Sequence, residues 1–173
     1  LQNLLYVTAQ KNIYNSSFKN IDNTDVSLKD LKGKKLILFV CDAENPDLRQ
    51  LDALDSLYRS KPEKLGIIVI PVSDFGNTSN ESKLKKLFKQ ERSYQIQFAK
   101  VSKASKSSGN QQHELLKWVT DKEENKRFNK DITGTGEMFV VGENGKLFAR
   151  LKKPVPLNGP LMKKILDQTV SDN

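Results

Sequence analysis

Two unbroken runs of apolar residues stand out in the first half of the chain. The first is residues 36–40 (LILFV), between a lysine-rich stretch and an acidic one, and the second is residues 66–71 (GIIVIP). Neither run alternates apolar with polar positions, a pattern typical of strands that are covered on both faces in α/β sheets. We therefore predict two buried strands, the second of which ends at Pro71 because proline cannot donate to a ladder.

Helical spacing follows each of these runs. Leucines at every third position predict a helix that begins near Asn45-Pro46-Asp47, with Pro46 in its first turn and a carboxylate at its positive end. Residues 82–92, 113–120 and 160–170 predict three further helices. The predicted apolar sides of the four helices comprise Leu48, Leu51, Leu54 and Leu57; Leu84, Leu87 and Phe88; Leu115 and Trp118; and Leu161, Ile165 and Leu166.

A hairpin is predicted near the end of the chain. Residues 137–151 contain two apolar stretches around Gly142-Glu143-Asn144-Gly145, and Asn-Gly between apolar runs is a strong hairpin signal. Residues 100–112 are rich in serine and lysine and predict a loop. Strands that alternate with helices indicate one layered α/β domain over residues 1–173, with an N-terminal extension at 1–11 and a C-terminal tail at 168–173.

Composition excludes several classes of protein. Of the 173 residues 36% are hydrophobic, which is enough for a core, and no apolar run approaches the ~20 residues of a membrane-spanning helix. One cysteine excludes an intrachain disulfide, and one cysteine with one histidine excludes a zinc finger. We predict no metal and no cofactor. The compartment is not predicted, although a chain that begins with Leu1 is compatible with export after removal of a leader.

The charge balance is strongly basic. Lysine and arginine number 29 against 21 acidic residues, a net charge of +8. Such a balance attracts acidic partners, but a solvated basic exterior is the preferred interpretation, and no DNA- or RNA-binding motif accompanies it. The basic residues fall into three groups: Lys83, Lys85, Lys86, Lys89 and Arg92; Lys122, Lys126, Arg127 and Lys130; and Lys152, Lys153, Lys163 and Lys164.

Five local strings, in their order along the chain, carry a resemblance. Residues 13–33 lead into the first strand through Val26-Ser27-Leu28 and Lys32-Gly33-Lys34, and further strings are PVSDFG at 71–76, FAKV at 98–101, HELLKW at 113–118 and FVVGENGK at 139–146. They resemble the opening hairpin and the P-C-N-Q-F-G, F-A-K-I, H-P-L-Y-K-W and F-L-V-D-R-D-G-K strings of the glutathione peroxidase family. The resemblance covers residues 13–166. It implies a thioredoxin-like three-layer α/β fold, with a central mixed β-sheet flanked by helices and an N-terminal β-hairpin.

The same resemblance implies a peroxidase site and a role in the response to oxidative stress, but the matched positions lack the family's residues. The peroxidatic cysteine or selenocysteine falls on Glu44 or Asn45, the glutamine on Asp74, and the tryptophan–asparagine pair near Gly134 and Thr135. The resolving cysteine of thioredoxin-dependent members falls on Phe88, and the cysteine of P-C-N-Q on Val72. The scaffold strings therefore remain where the catalytic residues do not.

Cys41 is the remaining candidate thiol. It is either a buried small hydrophobe or a displaced peroxidatic or redox-sensing thiol, and the second role needs exposure and a lowered pKa. Asp42 and Glu44 would raise the pKa of Cys41 if they lie close to it, which favours the first interpretation.

Other polar residues near the matched site have ordinary interpretations. Asp42, Glu44, Asp47 and Asp74 are predicted to cap and solvate a helix start, with a Ca²⁺ or Mg²⁺ site as the alternative. His113 at a helix start is interpreted as structural.

Three functions remain open. The first is a non-catalytic binding or scaffold module, with an unknown protein or small-molecule partner. The second is a thiol-dependent hydroperoxide reductase that uses Cys41 with a thiol reductant. The third is an ion-binding module that uses the basic faces or the acidic cleft. The first is preferred, because every matched catalytic position departs from the family pattern.

Overall fold

A five-stranded mixed sheet forms the centre of the computed structural model, which describes residues 12–76, 80–152 and 155–169. Its strand order is β5-β4-β3-β6-β7. Strands β3 (Lys35–Asp42), β4 (Leu65–Val72) and β5 (Gln97–Phe98) are parallel, and β6 (Met138–Val141) runs antiparallel to them. Strand β7 (Leu147–Leu151) is antiparallel to β6 and forms the predicted hairpin with it. A separate antiparallel pair, β1 (Ser17–Lys19) and β2 (Asp25–Ser27), forms the predicted N-terminal hairpin.

Five α-helices accompany the sheet in the described part of the chain. They are α1 (Leu48–Ser60), α2 (Glu81–Lys85), α3 (Glu114–Thr120), α4 (Lys122–Asn125) and α5 (Pro160–Asp167). A π-helical segment, Lys86–Glu91, continues α2, and 3₁₀ turns occupy Ile13–Asn15, Leu28–Leu31 and Lys106–Gln111. The last of these turns lies in the predicted loop at 100–112. No helix in the described ranges has the length and hydropathy to cross a membrane.

The alternation of side chains along β3 explains the three layers. Leu36, Leu38 and Val40 point into a core with α3 and the N-terminal hairpin, whereas Ile37 and Phe39 point into a second core with α1, α2 and α5. Both faces of the strand are therefore buried, as its unbroken apolar pattern predicts. Trp118 lies in the first core, as predicted, at 2% exposure.

A buried lysine holds the last helix against the sheet. Lys35 is only 2% exposed, although the sequence places it in a lysine-rich stretch that looks solvated. Its ammonium donates to the carbonyls of Ile165 (2.8 Å), Leu166 (3.0 Å) and Gln168 at the end of α5, and Glu143 lies 3.4 Å away. The lysine therefore satisfies carbonyls that the helix itself leaves open.

Several predicted boundaries were wrong at the ends of elements. Pro46 precedes α1 rather than lying in its first turn, because the side chain of Asp47 caps the helix by accepting from Gln50 N. Strand β4 continues past Pro71, whose carbonyl still accepts from Ser102 N at 3.1 Å. The second helix becomes π-helical after Lys85.

The last helix also differs from its prediction. It ends at Asp167 instead of Val170, which lies outside the described residues, and Leu161 is 49% exposed instead of packed. With Pro160 in the first turn, the inward positions are Met162 and Ile165. The predicted extension at 1–11 also lies outside the described residues, and of the predicted tail only residues 168 and 169 are described.

Candidate functional site

A small cavity opens at the carboxyl end of β3, where the sequence predicts the site. Its volume is about 170 Å³, and three chain segments line it. The end of β3 supplies Cys41 and Asp42, the start of α1 supplies Asp47 and Gln50, and the loop before β6 supplies Thr135 and Gly136. Of the sequence-predicted site residues, Cys41, Asn45 and Thr135 line this cavity; the lining set does not include Glu44, Asp74 or Gly134.

Cys41 carries a buried thiol and is the second-to-last residue of β3. It is 1% exposed, packs in the second core, and donates a hydrogen bond to the carbonyl of Asp42 at 3.4 Å. Burial, together with the negative charges of Asp42 and Asp47, raises the pKa of Cys41 to about 12. The backbone N–H of Asp47 hydrogen-bonds to the sulfur and lowers the pKa, but burial outweighs it. The thiol therefore lacks the exposure and the thiolate character of a reactive cysteine.

The acidic residues around this cavity satisfy backbone donors. The Asp42 carboxylate accepts from the backbone N–H groups of Glu44 (2.8 Å) and Asn45 (3.1 Å). Asp47 caps α1, with 3.2 Å between its Oδ1 and Gln50 N. The predicted capping role is confirmed for Asp47, whereas Asp42 bonds to the turn that precedes the helix. Asp42 is confirmed as a residue that raises the pKa of Cys41. The second residue whose charge raises the pKa of Cys41 is Asp47, whereas the sequence analysis predicts Glu44.

Asp74 lies in a different environment. Its carboxylate accepts from the backbone N–H groups of Ala104 (3.0 Å) and Ser105 (2.8 Å), in the loop that precedes α3. Asp42, Asp47 and Asp74 thus accept from the backbone of three different segments, and the structure does not bring the four carboxylates together as the alternative cation site requires. Within residues 12–76, 80–152 and 155–169, no group of three histidine, cysteine, aspartate or glutamate side chains is placed to hold a metal ion.

The loop with Gly134 and Thr135 is attached to β3 by its backbone. Gly136 N donates to Val40 O at 2.8 Å, and Val40 N donates to Glu137 O at 3.0 Å. This pairing extends the β3–β6 ladder to the edge of the cavity, so that Thr135 and Gly136 form one of its walls.

Gln50 is a residue that the sequence analysis missed. Its side-chain nitrogen is buried and has no hydrogen-bond partner among the described residues, and Gln50 also lines the cavity. The leucine stripe of α1 draws attention to the core face of the helix. The spacing from Asp47 is the signal in the sequence that could have identified Gln50. A side chain three residues after the cap lies in the first turn of the helix, at the end that faces the cavity.

His113 has the predicted structural role. It is the N-cap of α3, with its Nδ1 accepting from Leu115 N at 3.1 Å, and its ring packs 5.9 Å from the ring of Phe18. Burial lowers the pKa of His113 to about 4, so the imidazole is neutral at pH 7.

This histidine makes stability depend on pH. Between pH 4 and 6.5 the unfolded chain binds a proton at His113 that the folded protein does not, so stability falls as pH falls through that window. The full loss is on the order of 3 kcal/mol. We expect urea unfolding of His113→Asn, which keeps a capping side chain, to lose this part of the pH slope. Equal slopes for the two proteins between pH 4 and 6.5 would contradict the assignment.

The three basic groups differ in their surroundings. In the first, Lys85 lies 3.2 Å from Asp22, and Arg92 lies 3.5 Å from Asp52. The second and third groups meet at Lys130 and Lys152. The close approach of Lys130 lowers the pKa of Lys152, and desolvation and the positive charge of Arg150 act in the same direction. Lys153 lies outside the described residues.

Comparison with solved structures finds proteins of the same fold. The crystal structure of Trgpx in its apo form is 17% identical, with a TM-score of 0.68 over 93% of this chain and 99% of that chain. The crystal structure of GPX1 from T. cruzi is also 17% identical, with a TM-score of 0.64 over 90% and 94% of the two chains. A thioredoxin family thiol:disulfide interchange protein from Chlorobium tepidum TLS is 17% identical, with a TM-score of 0.59 over 86% and 89%. At this identity the likeness shows the thioredoxin-like fold alone.

The sequence itself assigns the family. No curated protein matches it, but the family model described as glutathione peroxidase matches residues 13–120, more than half of the chain. That range contains the opening hairpin, β3, α1, β4 and α3, and with them four of the five strings that carry the resemblance. The chain therefore belongs to the glutathione peroxidase family.

Proposed function

We propose that this member of the glutathione peroxidase family has lost peroxidase chemistry and works as a non-catalytic binding or scaffold module. The observation that carries the proposal is the environment of the chain's one cysteine: Cys41 is 1% exposed, and burial raises its pKa to about 12. At pH 7 roughly one molecule in 100,000 would carry the thiolate that attacks a peroxide.

The residues at the matched catalytic positions support the same proposal. Asn45 and Thr135 border the cavity, but neither carries a sulfur atom that could act as the nucleophile. The carboxylate of Asp74 is hydrogen-bonded to the backbone of residues 104–105. A carboxylate or an amide in place of the sulfur cannot form the sulfenic acid on which a peroxidase cycle depends. What remains is a cavity on a rigid fold, which suits binding.

The proposal predicts that Cys41 resists oxidation in the folded protein. We expect no mass shift on treatment with hydrogen peroxide or an organic hydroperoxide, and no consumption of peroxide with glutathione or thioredoxin as reductant. The same treatment in urea is expected to oxidise the thiol, because unfolding exposes it and restores its ordinary pKa. Intact mass spectrometry and a peroxide-consumption assay measure both results.

Cys41→Ser is the control for this experiment. Peroxide consumption by the native protein that disappears in the serine variant would overturn the proposal, and would assign a thiol-dependent hydroperoxide reductase with Cys41 as a relocated nucleophile. Equal and negligible consumption by the two proteins is the expected result.

A further inference from the structure

A separate cavity lies beside the N-terminal hairpin, and we call it the β1 cavity. Its volume is about 370 Å³, and three parts of the chain line it. The hairpin contributes residues 17–19 and Asp25, the segment after β5 contributes residues 100–102, and the start of α3 contributes His113 and Glu114. None of these residues lines the cavity at the end of β3, so the two cavities are distinct.

The course of the chain after β5 opens the β1 cavity. Lys100 N donates to Lys19 O at 3.1 Å, which ties this segment to the hairpin. Two residues later the segment has crossed to β4, because the N–H of Ser102 donates to a carbonyl of that strand at 3.1 Å. Further along the chain, His113 N donates to Lys103 O at 2.8 Å. These bonds bring Ser102 and His113 to the same cavity.

The hydroxyl of Ser102 is a buried polar group without a partner. Its Oγ is buried and forms no hydrogen bond with any described residue. An unpaired buried hydroxyl is unfavourable, because it has lost its hydrogen bonds to water, and native proteins rarely retain one that has no other role. Ser102 is therefore available to hydrogen-bond a group from outside the chain.

The ring of His113 provides a second donor. Its Nδ1 accepts from Leu115 N at 3.1 Å, so the neutral ring carries its proton on Nε2. Burial keeps the pKa of His113 near 4, and Nε2 has no hydrogen-bond partner among the described residues. The same tautomer excludes a serine–histidine hydrolase, because neither ring nitrogen is free to take the proton of Ser102. The two side chains are thus suited to binding and not to nucleophilic catalysis.

The rest of the lining suits a small organic ligand. Phe18 is 6% exposed, and its ring lies 5.9 Å from the ring of His113, so that the two rings form an apolar wall. The lining carries two lysines and two carboxylates, and one of each, Lys19 and Asp25, form an ion pair at 3.0 Å. Because these charges balance, the two neutral donors determine which chemical group binds.

We propose that the β1 cavity binds the carboxylate group of a small organic acid. A carboxylate accepts from two donors at once, and hydrogen bonds to a charged acceptor are stronger than those to a neutral one. A volume of about 370 Å³ lies within the range of small-molecule sites, and the ring of Phe18 favours an acid with an apolar body. This binding goes beyond the proposed function, because it uses neither Cys41 nor the cavity beside it.

The test is titration of the full chain at pH 7 with benzoate, and with benzamide as its uncharged counterpart. His113 is the chain's one histidine, so its ring signals in NMR spectra report binding without overlap from other imidazoles. We expect these signals to shift saturably with benzoate, ¹⁵N shifts that show the proton on Nε2, and roughly tenfold weaker binding of benzamide. The absence of a saturable shift, equal binding of benzamide, or a proton on Nδ1 would each overturn the proposal.

Two variants test the donors without changing the net charge at pH 7. Calorimetric titration should show roughly tenfold weaker binding of benzoate to Ser102→Ala and to His113→Asn, which keeps a capping side chain. Ser102→Ala is the decisive variant, because it removes a hydroxyl that has no partner in the chain. It should melt at or above the temperature of the native protein while it binds benzoate more weakly.

Ser56→Ala is the matched control, because Ser56 is exposed on α1 and is not part of the lining. Native affinity in this control, with loss in both cavity variants, supports the proposal. Equal affinity in all three variants would place benzoate elsewhere and overturn it. A lowered melting temperature of Ser102→Ala would also contradict it, since the hydroxyl would then have a partner within the chain. The peroxide experiment depends on Cys41 alone, so either proposal can fail without the other.

Discussion

Replacing Arg150 with methionine is expected to destabilise the protein by about 3–5 kcal/mol, because it leaves a buried carboxylate without its partner. The side chains of Arg150 and Glu137 are 3% and 8% exposed, and Glu137 Oε2 accepts from Nε (2.9 Å) and from Nη2 (2.7 Å) of the guanidinium. The same guanidinium donates to the carbonyls of Lys130 and Asp131 and lies 5.0 Å from the ring of Phe139. One side chain therefore fastens the segment that leads to Thr135.

Urea unfolding of Arg150→Met, Glu137→Leu and the double variant separates the ion pair from the packing of its two members. We expect the double variant to be more stable than the sum of the single effects predicts, by about 0.5–3 kcal/mol, since it removes both charges together. Additive effects would contradict this account. Amide hydrogen exchange at residues 131–136 should accelerate in Arg150→Met, because the carbonyls that hold this loop lose their donor.

The elements that the sequence predicts well are those whose pattern reflects burial alone. The run at 36–40 lacks polar positions because both faces of β3 are covered. Cys41 follows directly on this run, and for the same reason it is buried as a small hydrophobic residue. Lys35 shows the limit of that logic. The sequence places it in a solvated stretch, but the carbonyls at the end of α5, about 130 residues away, bind its ammonium in the interior.

The candidate site is predicted less completely, for the same physical reason. Local spacing identifies Asp47 near the start of a helix, and the family resemblance places a matched position near Thr135. It cannot show that Asp74 bonds to the backbone of Ala104 and Ser105, because that contact depends on how two loops meet. Nor does periodicity reveal Gln50, because a single polar residue next to the leucine stripe gives no sign that its side-chain nitrogen is buried.

The turn between β6 and β7 leads to the second large expected effect. Gly145 has a φ of +77°, and a Cβ placed there would lie 2.6 Å from a ring carbon of Tyr14 and 2.7 Å from Oδ1 of Asn12. Tyr14 cannot easily move away, because it is buried and its hydroxyl donates to Glu143 O at 2.9 Å. We expect Gly145→Ala to cost about 3 kcal/mol, of which roughly 1 comes from the backbone conformation and the rest from the overlap.

Gly33→Ala distinguishes the two contributions. Gly33 also has a positive φ, +85°, but a Cβ at that position meets nothing within 4 Å. It should therefore cost only the backbone part, about 1 kcal/mol, in the same urea titration. If the two alanine variants were equally destabilised, the close packing of Tyr14 against the turn would not contribute. A larger loss at Gly145 would instead show that the Asn-Gly turn is fixed by the side chain it packs against, in addition to its own backbone preference, and that the N-terminal segment and the distant hairpin stabilise each other.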